Sequence, residues 1–231
     1  MDRDQLLKLS DKLCAISDSF SVLEKKLDSA DLLPFVSRAL DELVSSSRQI
    51  RDSYYSASAL KTGSGLNHSD ILANLILRTA SHLYQSGNVA ESDFLAKANK
   101  LLHGIDFFPR NPIPDVFILV HPVGSVIGRI TLPTLSVIYQ GVSVGARLPN
   151  EDEYSYPRFS GPVVLFSNSS VFGNCQVGEN VVFGAGSMII ECDIPDDSVV
   201  VGQFPNHRFL PGGKKIIDKY FVNWQLRKGK E

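Results

Sequence analysis

Few side chains in the C-terminal half of this 231-residue chain can move a proton. Two are imidazoles: His121, within a His-Pro pair, and His207, within Pro205-Asn206-His207-Arg208. A second group of candidates gathers in the polar stretch Arg147–Ser160, which holds Glu151-Asp152-Glu153 and then Tyr154, Tyr156, Pro157 and Arg158. An imidazole or a carboxylate such as Asp152 can take a proton from a hydroxyl or amine acceptor. A phenol, with a pKa near ~10, is better suited to orienting an acceptor or donating to an oxyanion, which is the chemistry open to Tyr156. His68, His82 and His103 fall elsewhere at no ligand-like spacing and read as surface or packing histidines. Three cysteines, also without ligand spacing, give neither a disulfide framework nor a metal site.

The element that must position these groups is a repeat. Leu165, Val171, Val177, Phe183 and Ile189 recur every six residues without a slip. Two residues ahead of the last four stand Ser169, Cys175, Val181 and Ser187, all small. A period of six is neither a helix nor a plain strand. It describes a solenoid with three flat faces, in which each large aliphatic residue stacks on its equivalent in the next coil. Ile127-Gly128 and Val144-Gly145 extend the pattern upstream, and Leu132, Ile138 and Val144 keep the beat. Arg147–Ser160 interrupts it, as a loop thrown out of a rigid scaffold, a common place for a binding site.

Residues 1–104 have helical periodicity. Leu6, Leu9, Leu13, Ile16, Phe20, Leu23 and Leu27 form a stripe with steps of three and four. Asp31 with Pro34 reads as the start of a second helix carrying Val36, Leu40, Leu43, Ile50 and Tyr54. Lys61–Asn67 reads as a loop, Ser69 as the cap of a third helix ending at Gly87, and a fourth runs from Ala90 to His103 and stops at Gly104. Pro109, Pro112 and Pro114 place a domain boundary between residues 108 and 109. The expected class is α+β: an α-helical domain over 1–108, then a parallel β-helix of hexapeptide repeats over 109–231. The basic tail Lys214–Glu231, with Tyr220, Phe221 and Trp224, is expected to cap the solenoid's open end.

Composition narrows the function. With 43% hydrophobic and 21% charged residues and a net charge of −2, nothing suggests a nucleic-acid or anionic-membrane partner. No apolar run reaches the ~20 residues of a membrane span, and the charged start gives no signal peptide, so the expected location is the cytoplasm.

The order of segments carries a resemblance. It runs His121-Pro122, Ile127-Gly128-Arg129, Ile138-Tyr139-Gln140-Gly141-Val142-Ser143-Val144-Gly145, Tyr156-Pro157, Gly173-Asn174, Val177-Gly178, Gly184-Ala185-Gly186-Ser187, and Ile194-Pro195 with Val201-Gly202. In this order the chain resembles the serine acetyltransferase family of hexapeptide-repeat acyltransferases. The resemblance implies a left-handed β-helix behind a helical domain, assembled as a homotrimer or a dimer of trimers. It implies acetyl-CoA as donor, lying between neighbouring β-helices along Gly145, Ala146, Ser167, Ala185 and Ser187, with no metal.

The departures bear on the acceptor. The family's Asp-His pair is missing because the span from His121 to Gln140 is shorter by most of a coil, and Tyr156 replaces a second histidine. In these respects the chain looks like shortened acyltransferase-like proteins of bacterial surface-polysaccharide biosynthesis. The expected activity is therefore O- or N-acetylation of a sugar or glycan. His121, Tyr156 and Asp152 are the catalytic candidates, and Tyr139, Gln140 and Arg158 the acceptor contacts. Two alternatives stand beside it: serine O-acetylation with a relocated base, and a non-catalytic hexapeptide scaffold or CoA-binding protein.

Overall fold

The structure is a computed structural model that describes residues 1–19, 28–150 and 153–222. It opens with helices α1 (Arg3–Ser19), α2 (Ser29–Ser47), α3 (Ala57–Thr62), α4 (Ser69–Gln85) and α5 (Val89–His103). Leu13 is buried and Leu6 and Leu9 partly so, as the stripe requires, while Phe20, Leu23 and Leu27 lie outside the described residues. The second helix begins earlier than expected. Asp28 caps it by accepting from the Ala30 N–H at 2.7 Å, and Pro34 lies inside it. It also ends sooner, so Ile50 forms a bridge to Phe221, and Tyr55, not Tyr54, is buried. The expected loop at Lys61–Asn67 holds the end of α3 and a 3-10 turn, Ser64–Asn67. Ser69 is the first residue of α4, and the cap position belongs to His68. Gly104 ends α5 in the left-handed region at φ 68°, as its sequence position predicts.

The rest is a three-faced parallel solenoid. The first face stacks Phe117–Val120, Ser136–Tyr139, Val163–Leu165, Val181–Phe183 and Ser198–Val201 in parallel. The second stacks Asp106–Phe107, Val126–Ile127, Ser143–Gly145, Ser170–Phe172 and Met188–Ile190. The third is short: Arg158–Phe159 pairs with Gln176–Val177, which bridges to Ile194. Every residue of the six-step ladder, Leu165 through Ile189, is fully buried. Ser169, Cys175, Val181 and Ser187 are buried too, because a residue two positions earlier on a strand shares the inward face.

The first face is apolar on both sides. Leu119, Ile138, Leu165, Phe183 and Val200 fill the coil interior. Ile118, Val137, Val164 and Val182 point outward and are covered by Leu40, Leu43, Ile71 and Leu75 of the helices. Helices and solenoid thus share one core. A buried arginine fastens the seam. The Arg78 guanidinium, 2% exposed, donates to the Pro114 and Asp115 carbonyls at 2.9 and 3.1 Å and pairs with Glu42 at 3.2 Å. Burial pushes the Glu42 carboxyl up, but His82 and Arg78 more than reverse this and hold it below the usual carboxylate range.

The solenoid's open edge is covered by residues that precede the expected cap, Lys214–Glu231. Arg208–Pro211 adds an antiparallel strand to Ser198–Val201 and so covers that edge. The short helix α6 (Gly213–Ile217) does not sit on the open end. It leads Ile217 and Phe221 into the shared core, where Arg51 Nε donates to the Asp218 and Phe221 carbonyls. Trp224 lies outside the described residues.

Candidate functional site

Two edges of the prism carry the polar groups, and they differ in kind. The registers of the first face align Val120, Tyr139 and Phe166 on successive coils, with Gly184 and Val201 following. One residue further along lie His121, Gln140, Ser167 and Ala185. They make a single row up one edge, about 4.8 Å apart per coil. Ser167 and Ala185 are small and accessible. At the base of the row His121 turns the chain at φ 47°, and its side chain is 73% exposed. Its backbone N–H donates at 2.9 Å to Asp70 Oδ2, and its ring Nδ1 stands 3.7 Å from the same oxygen. Asp70 itself is buried in the first turn of α4.

The next edge holds a cavity of about 1140 Å³. Its lining brings together Tyr156 and Arg158 from the returning loop, Arg129 and Pro133 from the first coil, Arg110 from the proline segment, and Glu191 from an upper coil. Each arginine is mounted on a fixed element. The buried Asn111 clamps the backbone on both sides of Arg129, donating to the Gly128 carbonyl at 2.7 Å and accepting from the Ile130 N–H at 3.1 Å. Arg158 projects from a strand anchored by its N–H to the Cys175 carbonyl at 2.9 Å. Arg110 lies over the rings of Tyr84 and Phe108, 5.5 and 5.7 Å from their centroids, and pairs with Asp93 at 3.3 Å. Glu153 and Glu191 also face the cavity, so three guanidinium groups meet two carboxylates.

The structure sorts the expected site residues. Tyr156 and Arg158 come together in the cavity; His121 and Gln140 stand on the other edge. Asp152 lies outside the described residues, and its neighbour Glu153 lines the cavity. Tyr139 faces the tail and not the cavity. Its hydroxyl meets that of Tyr220 at 2.8 Å and its ring packs 5.0 Å from Phe166, because Ile138 faces inward and Tyr139 must face the tail. The five positions expected along the donor are divided. Ser167 and Ala185 share the His121 edge, whereas Gly145 and Ala146 end the second face at the cavity edge. Ser187 offers no side chain to either, since it is fully buried. Three residues escaped the sequence reading: Arg110, Arg129 and Asn111. Their signal was Arg129 following Ile127-Gly128, the step that marks a coil corner. Among the described residues, no cluster of three or more His, Cys, Asp or Glu could hold a metal, and no helix is long and apolar enough to cross a membrane.

Fold and repeat define a hexapeptide β-helix protein with a helical N-terminal part. The serine acetyltransferase of Synechococcus elongatus is 33% identical over 126 residues, covering 54% of this chain and 51% of that protein. The chain therefore spans about half the length of this relative. The crystal structure of Neisseria gonorrhoeae serine acetyltransferase matches with a TM-score of 0.68 at 23% identity, over 90% of this chain and 78% of that one. Serine acetyltransferase from Brucella abortus in complex with coenzyme A matches with a TM-score of 0.66 at 16% identity, over 88% and 82%. No protein-family model matches the chain. The shared fold is a set of N-terminal helices followed by a left-handed parallel β-helix, as the hexapeptide beat and the segment order led us to expect.

Proposed function

We propose that this protein is an acetyl-CoA-dependent O-acetyltransferase. The observation that carries the reading is the row at the first edge: small Ser167 and Ala185 at successive coils, with His121 and its Asp70 partner at the foot. A narrow, linear donor arm needs close approach to the backbone, and small corner residues allow it. Pantetheine lies along this row, and its thioester is directed toward His121. The acceptor oxygen attacks the thioester carbonyl while His121 takes the hydroxyl proton; the C–S bond then breaks and the imidazolium returns that proton to the sulfur, so that CoA leaves as the thiol and His121 is again neutral. Asp70 orients the imidazole. Tyr156, in the cavity, positions the acceptor.

Donor row and cavity occupy different edges of one protomer. A homotrimer, alone or paired into a dimer of trimers, closes that gap by setting the donor edge of one β-helix against the cavity edge of the next. Leu101, Leu102, Val123 and Val126, each 45% or more exposed and clustered where α5 meets the first coil, support self-association.

Serine is the acceptor that names the relatives, and O-acetylation of serine is the reading the comparisons favour; in our reading His121 is then the relocated base. A sugar or glycan is the second reading, favoured by a cavity larger than a lone amino acid needs. Free thiol released from acetyl-CoA, measured with serine, amino sugars and nucleotide sugars in turn, distinguishes them. Acetyl-CoA that neither binds in calorimetry nor loses its acetyl group with any acceptor would leave a non-catalytic scaffold.

A further inference from the structure

We infer that the acceptor enters the cavity as an oxyanion, its carboxylate or phosphate held between Arg129 and Arg158 with Arg110 behind them. The inference rests on the transferase reading and narrows it: a neutral sugar is excluded, whereas an amino acid or a sugar phosphate qualifies.

Three observations lead there. First, all three guanidinium groups line one cavity, and among the described residues neither Arg129 nor Arg158 has an ion pair or a side-chain hydrogen bond. Like charges gathered around an open space repel, and a bound anion relieves that repulsion. Glu153 and Glu191 line the same space, yet among the described residues neither pairs with an arginine; Glu191 instead accepts from Ser155 Oγ at 3.0 Å.

Second, the backbones that carry Arg129 and Arg158 are anchored, and the Arg110 guanidinium is braced by rings. Asn111 fixes the backbone on both sides of Arg129, the ladder fixes Arg158, and two aromatic rings fix Arg110. Planar guanidinium forks match carboxylate and phosphate oxygens in pairs, which sets the orientation of the ligand as well as its affinity.

Third, Tyr156 lines the same cavity on the strand-entry side of Arg158, one residue removed from it. An acid group seated on the arginines thus leaves the rest of the acceptor beside the phenol.

The test uses matched acceptors that differ in the acid group: serine against serinamide, and a hexose phosphate against the free hexose. The acid member of at least one pair is expected to show kcat/KM higher by about tenfold or more, the size of one charge-assisted hydrogen bond. Arg129→Gln and Arg158→Gln are each expected to remove that preference by raising the acceptor KM, while acetyl-CoA affinity stays within about twofold. Equal rates within both pairs would overturn the inference, as would a preference that survives both variants. Variants that weaken acetyl-CoA binding and spare the acceptor KM would also overturn it, by assigning the arginines to the donor's own phosphates. Calorimetry of serine and hexose phosphate without acetyl-CoA separates this inference from the transferase reading. Acid-dependent binding lost in the variants keeps the anchor even if no thioester is cleaved; no binding of either compound, with thioester cleavage intact, removes the anchor alone.

Discussion

The two edges of the prism are built from the same repeat and end up chemically opposite. Along the His121 edge the chain turns at every coil without interruption, and Ser167 and Ala185 leave a smooth, nearly uncharged seam. Along the Arg129 edge the second coil is broken open after Ala146, the loop leaves and returns at Tyr156, and the gap is filled by charge. A periodic edge suits a linear ligand that reads backbone and shape. An interrupted edge suits a compact ligand read by specific side chains. In the function proposed above donor and acceptor take different edges, and that division can be broken at either one.

The largest effect is expected from filling the periodic edge. Ala185 is exposed, so Ala185→Trp costs the fold little and places an indole across the row. Acetyl-CoA affinity should fall by about a hundredfold or more in calorimetry, with the oligomeric state checked alongside; unchanged affinity would move the donor off this edge. His121→Asn comes next. Asparagine tolerates the left-handed backbone that His121 occupies at φ 47°, so the turn is kept and only the base is lost. Turnover should drop by about a hundredfold while acetyl-CoA binds as before. A rate within twofold of wild type would return the base to the loop.

Asn111→Ala probes the interrupted edge through its scaffold. The change leaves the Gly128 carbonyl and the Ile130 N–H without their buried partner, at a cost of about 1–3 kcal/mol in unfolding free energy. With Arg129 no longer held, the acceptor KM should rise, while acetyl-CoA affinity at the other edge does not move. A parallel loss at both edges would show that the coil acts as one unit and that the division is only geometric.

How far each edge could be read in the sequence follows from the same contrast. The hexad beat fixes which side chains face inward, so the ladder from Leu165 to Ile189 was legible from spacing alone, whereas Ser167 and Ala185 were named only through the family resemblance. The interrupted edge was legible only in part. Tyr156 and Arg158 stood out because they end a polar loop. Arg129 and Arg110 did not, because they join the site through coil stacking and through the return of the proline segment beneath it. Asn111 looked like one more residue among prolines, since its two partners lie 17 and 19 positions away. The neighbours of Tyr139 were hidden for a related reason. Strand parity sends it outward, and what waits there is Tyr220, 81 positions later. The helix boundaries went wrong where a side chain captured a backbone N–H before the periodic pattern began, as Asp28 does ahead of Asp31.

The smallest effect is expected from Tyr156→Phe, and it is the most discriminating. The ring is partly buried and packs against the solenoid core, so phenylalanine keeps the packing and removes only the hydroxyl. One neutral hydrogen bond contributes about 0.5–1.5 kcal/mol, which limits the loss in turnover to about tenfold if the phenol orients the acceptor. Donor affinity should not change, because the donor row is at the other edge. A loss far beyond tenfold would mean that Tyr156 does more than orient, and would make it a rival to His121 for the proton. No loss at all, with an acceptor that is turned over well, would leave the arginines alone to position the acceptor.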